Sequence, residues 1–198
     1  MKIKYILIVP IIVLFFINTH AQESSVVKTK SWYVPDYVKA QFAGNIGLLS
    51  VGAGYHVFND VLYTELLYGF VPKSISKAEN IHLITIKNTF PIYRKKIGKN
   101  LTITPIAGFA ATLDIGTTTF TTLPSKFPDG YYVPTAFHAT LFGGVMVHKD
   151  FIKAKIFKGA DFYIEFGTVE SYLWYAITSK EVSLNNIFSA DIGVNFYF

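Results

Sequence analysis

The residues able to do chemistry in this chain are few, and their spacing sets what they can do. No cysteine occurs among the 198 residues, which removes thiol nucleophiles, disulfides and thiolate metal sites. His56, His82, His138 and His148 fall on separate apolar stretches without HxxxH or HExxH spacing, so no metal site is expected. Gly143-Gly144 precedes neither a helix start nor a Gly-Lys-Ser/Thr run, so it is no phosphate loop, and no cofactor is expected. Two arrangements remain. In His138-Ala139-Thr140 an imidazole and a hydroxyl share one side of a strand, where the ring can accept the hydroxyl proton and create a nucleophile. The second set is Glu65, Lys87, Glu165 and Asp191, charges set among apolar neighbours as in Ile164-Glu165-Phe166.

Both arrangements depend on strands, and the period of the sequence supplies them. Apolar and polar residues alternate over 37–47, 49–58, 61–71, 81–93, 101–113, 137–148, 161–169 and 187–198. Period-2 alternation is the mark of a strand with two different faces. In Ser189-Ala190-Asp191-Ile192-Gly193-Val194-Asn195-Phe196-Tyr197-Phe198, one face reads Ala, Ile, Val, Phe, Phe and the other Ser, Asp, Gly, Asn, Tyr. Pro105 disturbs the fifth stretch, because a proline cannot donate to the ladder. Two uncharged runs, 40–59 and 130–148, are long enough for a spanning helix of about 20 residues. Their glycines, Pro134 and interspersed polar residues favour strands instead.

Composition says where such strands belong. Charged residues make up 16% of the chain, where an ordinary soluble domain has about 25%. Aromatic residues make up 17%, which excludes a disordered chain. Lys2 and Lys4 precede an apolar run over 6–17, and Thr19-His20-Ala21 offers a small-residue cleavage site. Residues 1–21 therefore read as a cleaved secretory signal peptide. Without Lys2 and Lys4, the 18 basic residues fall to 16 against 13 acidic ones, too even a balance to call for nucleic acid. The expected fold is all-β: a short periplasmic segment over 22–36, then an eight-stranded antiparallel transmembrane β-barrel over 37–198.

In such a barrel the apolar face meets lipid and the polar face fills a lumen too narrow for an open channel. Glu65, Lys87, Glu165 and Asp191, with Thr85, are then expected to point inward as a network of ion pairs, Lys87 touching at least one carboxylate. Glu170–186 and 114–136 become long outer loops, rich in Phe120, Leu123, Phe127, Pro128, Tyr131, Tyr132 and Pro134, then Tyr172, Leu173, Trp174 and Tyr175. Phe58, Phe90, Tyr93, Phe196 and Phe198 fall near the opposite, periplasmic ends, as an aromatic girdle requires. Arg94, Lys95, Lys96 and Lys99, and Lys149, Lys153, Lys155 and Lys158, crowd two periplasmic turns. They suit a solvated rim or contact with anionic lipid or a periplasmic partner.

Four segments carry a family resemblance: Phe42-Ala43-Gly44-Asn45-Ile46-Gly47, Tyr68-Gly69-Phe70-Val71-Pro72-Lys73, Lys87-Asn88-Thr89-Phe90, and Ile192 through Phe198. With them the chain resembles the small outer-membrane β-barrel proteins of Bacteroidota. The resemblance implies fold and location and no catalytic activity. It also implies that Phe196 and Phe198 form a C-terminal insertion signal read by the barrel-insertion machinery. The expected role is structural or accessory and non-catalytic, in contact with outer-membrane lipid and with a larger outer-membrane protein as a partner. His138 and Thr140 distantly resemble the His-x-Ser pair of outer-membrane lipid A deacylases. Thr stands where those enzymes have Ser, and the pair lies on an earlier strand than theirs. A lipid A-modifying enzyme and a narrow passive pore are the alternative functions.

Overall fold

Alternation of apolar and polar residues produces strands that cannot bury both faces in an open sheet, and here the sheet closes on itself. The computed structural model describes residues 31–77, 79–116, 119, 136–152, 156–178 and 186–198. Residues 1–30, which include the expected signal peptide, lie outside the described set, as do Phe120, Leu123, Phe127, Pro128, Tyr131, Tyr132, Pro134, Lys153 and Lys155. Residues 34–198 form one compact unit.

The wall consists of β1 (Tyr37–Ala43), β2 (Leu49–Val57), β3 (Leu62–Val71), β4 (Ile81–Pro91), β6 (Leu101–Ile115), β7 (Phe137–Asp150), β8 (Gly159–Val169) and β9 (Ser189–Tyr197), with a two-residue β5 (Lys95–Lys96) beside β6. Each wall strand pairs antiparallel with its neighbours in sequence, β4 pairs with β6, and β9 returns to β1 to close the ring. Tyr37 stands opposite Tyr197, so both chain ends leave the barrel at the same rim. Closure gives every wall strand a partner on both sides.

Strand parity sorts the side chains cleanly. Glu65 is 2% exposed, whereas Leu66 beside it is 60% exposed. The inside holds Lys39, Gln41, Thr85, Lys87, Asp161, Glu165 and Asn195, with two small apolar clusters. One is Tyr63, Ile106, Met146 and Tyr163, and the other is Ile46, Leu67 and Ala110. The outside presents Leu49, Val51, Leu66, Ile84, Ile86, Phe109, Leu141, Val145, Phe162, Ile164, Phe166 and Ile192, all exposed. Large and small residues interlock across the narrow interior. A Cβ on Gly54 would overlap the ring of Tyr37, and one on Gly193 would overlap that of Tyr163.

The eight stretches expected from sequence all become wall strands, most with ends shifted by one or two residues, and three places have a local physical cause. The first ends at Ala43 rather than 47, because Ala43, Gly44 and Gly47 adopt positive φ (65°, 82° and 124°) and turn the chain inward. That turn drops Ile46 into the barrel mouth, where Ser50 Oγ donates to its carbonyl at 2.9 Å. Pro105 faces outward at the level where β4 gives way to β5, and its carbonyl accepts from Ile92 N–H at 2.9 Å. The segment after β8, read as loop, begins with a nine-residue helix, α2 (Glu170–Thr178), in addition to a single-turn α1 (Lys73–Ser76) after Pro72. Glu170 opens α2 as an acidic residue beside the positive end of the helix dipole. Tyr172, Trp174 and Tyr175 on α2 are all exposed.

Candidate functional site

Among the described residues, the polar interior concentrates the groups able to do chemistry. Its middle layer is built from alternate residues of β1, β3, β4, β8 and β9. Lys39 Nζ donates to both oxygens of Glu65, at 2.9 and 2.8 Å, and the Tyr37 hydroxyl donates to Glu65 Oε1 at 2.7 Å. Lys87 Nζ pairs with Glu165 Oε2 and also donates to Gln41 Oε1 at 3.2 Å. The Tyr163 hydroxyl donates to the same Gln41 oxygen at 3.0 Å. Lys39 Nζ lies 4.2 Å from the centre of the Tyr163 ring, and Lys87 Nζ lies 4.4 Å from that of Phe142. Both ammonium groups therefore meet carboxylate on one side and an aromatic face on the other. Buried charges survive only when paired and hydrogen-bonded in this way.

A second polar layer lies at the rim of the chain ends. Asp161, fully buried, collects His148 Nδ1 at 2.6 Å, Asn195 Nδ2 at 3.0 Å and the Tyr197 hydroxyl, tying β7, β8 and β9 together. Opposite, His56 stacks on Tyr63 at 4.2 Å and pairs with Asp60 at 2.8 Å. Arg94 donates to the Asp60 carbonyl and to the Tyr63 hydroxyl, the latter at 3.1 Å. That grip holds a turn in which Phe58, Asn59 and Asp60 all take positive φ. His56, Asp60, Tyr63, Arg94, His148 and Asp161 are among the residues that line a cavity of about 220 Å³. Lys95, Lys96, Lys99, Lys149 and Lys158 are exposed around the same rim.

Of the residues singled out from sequence, Glu65, Lys87, Glu165 and Asp191 all lie inside the barrel, and Lys87 contacts Glu165. Glu165 stands directly opposite Asp191 in the β8–β9 ladder, and Glu65 opposite Lys87 in the β3–β4 ladder. Thr85 is buried and shares a hydrogen bond of 2.9 Å with Thr112. His138 sits at the far rim with Nδ1 3.9 Å from Glu170 Oε1. The buried Thr140 hydroxyl has no hydrogen-bond partner, so the structure does not join His138 to Thr140. Phe196 and Phe198 pack on Phe157, with ring centres 5.1 and 5.6 Å away.

Lys39, Gln41, Tyr163 and Asp161 belong to the interior and were not among those candidates. The signal for them is the same strand parity: Tyr37, Lys39 and Gln41 share a face, as do Asp161, Tyr163 and Glu165. Among the described residues, no group of three or more His, Asp or Glu is arranged to hold a metal ion, and no helix is long and apolar enough to cross a membrane. No protein-family model, curated protein or solved structure matches the chain.

Proposed function

We propose that this chain is an exported protein whose barrel spans the outer membrane of a Gram-negative bacterium, where it acts as a structural or accessory wall element and not as an enzyme. The observation that carries this reading is the direction of the barrel's polarity. Charges are inside and paired, while Leu, Ile, Val and Phe cover the outside of all the long strands. A barrel built for water gains about 25 cal/mol per Å² by hiding such side chains, and this one displays them. Five of the eight wall strands, β2, β3, β4, β8 and β9, have the 9–11 residues of a tilted crossing.

Supporting features lie at the two rims. Phe58, Phe90, Tyr93 and Phe198 are exposed at the rim of the chain ends, where a girdle of aromatic side chains would meet the lipid headgroups. Exposed lysines at that rim fit a periplasmic surface facing anionic lipid. Residues 1–21 would direct export, and Phe196 with Phe198 would be read by the insertion machinery. Likeness to the small outer-membrane barrels of Bacteroidota fits the same picture. A lumen filled by two ion pairs, Tyr37, Tyr163 and Phe142 favours a wall element over a passive pore. The exposed aromatic helix α2 at the far rim offers contact to a larger outer-membrane protein.

Membrane fractionation with a heat-modifiability gel tests the proposal. The expected result is outer-membrane material whose unheated band migrates apart from the boiled one. Recovery in the periplasmic fraction would contradict it.

A further inference from the structure

Charge is spread unevenly around the rim of the chain ends. Lys95, Lys96, Lys99, Lys149 and Lys158 are exposed on or beside the turns from β4 to β6 and from β7 to β8. The Asp150 N–H donates to the Asn100 carbonyl at 3.0 Å, which joins the two turns into one sector. Among the described residues none of these lysines is ion-paired, because the nearby acids serve histidines: Asp150 and Asp161 hold His148, and Asp60 holds His56. The turn from β2 to β3 carries no basic residue at all. Two of the lysines emerge on the outer side of the wall. Lys95 pairs with Ile103 and Lys149 with Leu101, and odd-numbered residues of β6 point outward, as exposed Pro105 and Phe109 do. Lys95 and Lys149 therefore flank β6 on its outer face, two strand spacings or about 10 Å apart across the ladder.

We propose that this sector docks an anionic phospholipid, its phosphate between Lys95 and Lys149 and its acyl chains along the apolar strip of Leu101, Ile103 and Val147. The inference rests on the membrane reading above and adds the charge of the lipid and its place on the rim. Two flexible four-carbon stems can converge on one phosphate from that spacing. Apolar side chains are interleaved with the charges: Ile92, Ile97, Ile152 and Ile156 are exposed in the same two turns. An acidic peptide would answer the lysines and leave these isoleucines in water, which is unfavourable. A zwitterionic lipid would cover the isoleucines and leave the lysines without a net countercharge. Only a lipid with surplus negative charge meets both demands.

The test is native mass spectrometry of the full chain, folded in non-ionic detergent and titrated with phosphatidylglycerol or phosphatidylcholine. Phosphatidylglycerol should bind clearly more tightly. A lysine at a membrane surface contributes about fivefold in binding, so Lys95→Gln with Lys149→Gln should weaken phosphatidylglycerol about 25-fold. Lys73→Gln with Lys77→Gln, exposed at the far rim, should leave its affinity unchanged. Equal affinity for the two lipids overturns the proposal, as does equal loss in the two double variants. Tighter capture of a polyglutamate peptide than of phosphatidylglycerol also overturns it, and assigns the sector to an acidic protein. Heat-modifiable outer-membrane material without lipid preference overturns this inference alone, whereas recovery in the periplasm overturns the membrane reading with it.

Discussion

The ammonium of Lys39 on β1 reaches past β2 to grip both carboxylate oxygens of Glu65 on β3, at 2.9 and 2.8 Å. Gly54, the β2 residue paired with Glu65, leaves the space that the Tyr37 ring fills on its way to the same carboxylate. Lys39→Met should leave Glu65 buried beside Tyr37 without a cation, a change that typically costs about 3–5 kcal/mol. Replacing both partners, as Lys39→Met with Glu65→Met, should cost clearly less than the single change. Urea unfolding of the three proteins measures both effects, and additive penalties would mean that the pair is not coupled.

Lys87 makes the same case on the other side of the lumen, between Glu165 and the Phe142 ring. Lys87→Met is expected to lower stability by about 3–5 kcal/mol. Lys95→Met, at an exposed rim position, should stay within about 0.5 kcal/mol of the unaltered protein. Equal unfolding midpoints for the two variants would contradict the inward register of β4.

Tyr163 fills the space that Gly193 leaves open on the neighbouring strand. Gly193→Ala should therefore overpack the lumen, at a cost of about 1–3 kcal/mol. Adding Tyr163→Leu to it should give a total penalty smaller than the sum of the two single penalties. Strict additivity in denaturant titrations would show that the two positions do not touch.

Asp161 is the anchor of the rim at the chain ends, since His148, Asn195 and Tyr197 all converge on its two oxygens. Asp161→Ala should loosen the ends of β7, β8 and β9 together, and amide exchange there should accelerate while the β2–β3 ladder keeps its protection. Acceleration spread evenly over the barrel would assign Asp161 a different role.

Much of this architecture is legible in the residues themselves. Period-2 alternation marks all eight wall strands, and the apolar flanks of Glu165 place it inside, because a one-residue slip would turn every side chain to the opposite face. Lys39 and Asp161 obey the same parity, yet each lies near a strand start, where a charged side chain is equally at home at a solvated rim. The inward turn is less legible. Residues 45–47 read as the end of the first strand, and only contact with Leu67 and Ala110, distant in sequence, makes Ile46 a core residue. Helix α2 is illegible for a related reason: with no buried residue along it, its sequence carries no one-sided apolar stripe to announce a helix.

The central claim is that the outer wall meets hydrocarbon. Because the chain has no cysteine, a single one introduced at Leu66, Ile86 or Ile164 can carry a unique spin label in native outer membranes. The account predicts that dissolved oxygen relaxes these labels strongly and that a water-soluble nickel chelate does not. Labels at Lys95 and Lys158, on the exposed rim, should show the reverse. Nickel access at Leu66, Ile86 and Ile164 equal to that at the rim would contradict the membrane-spanning barrel.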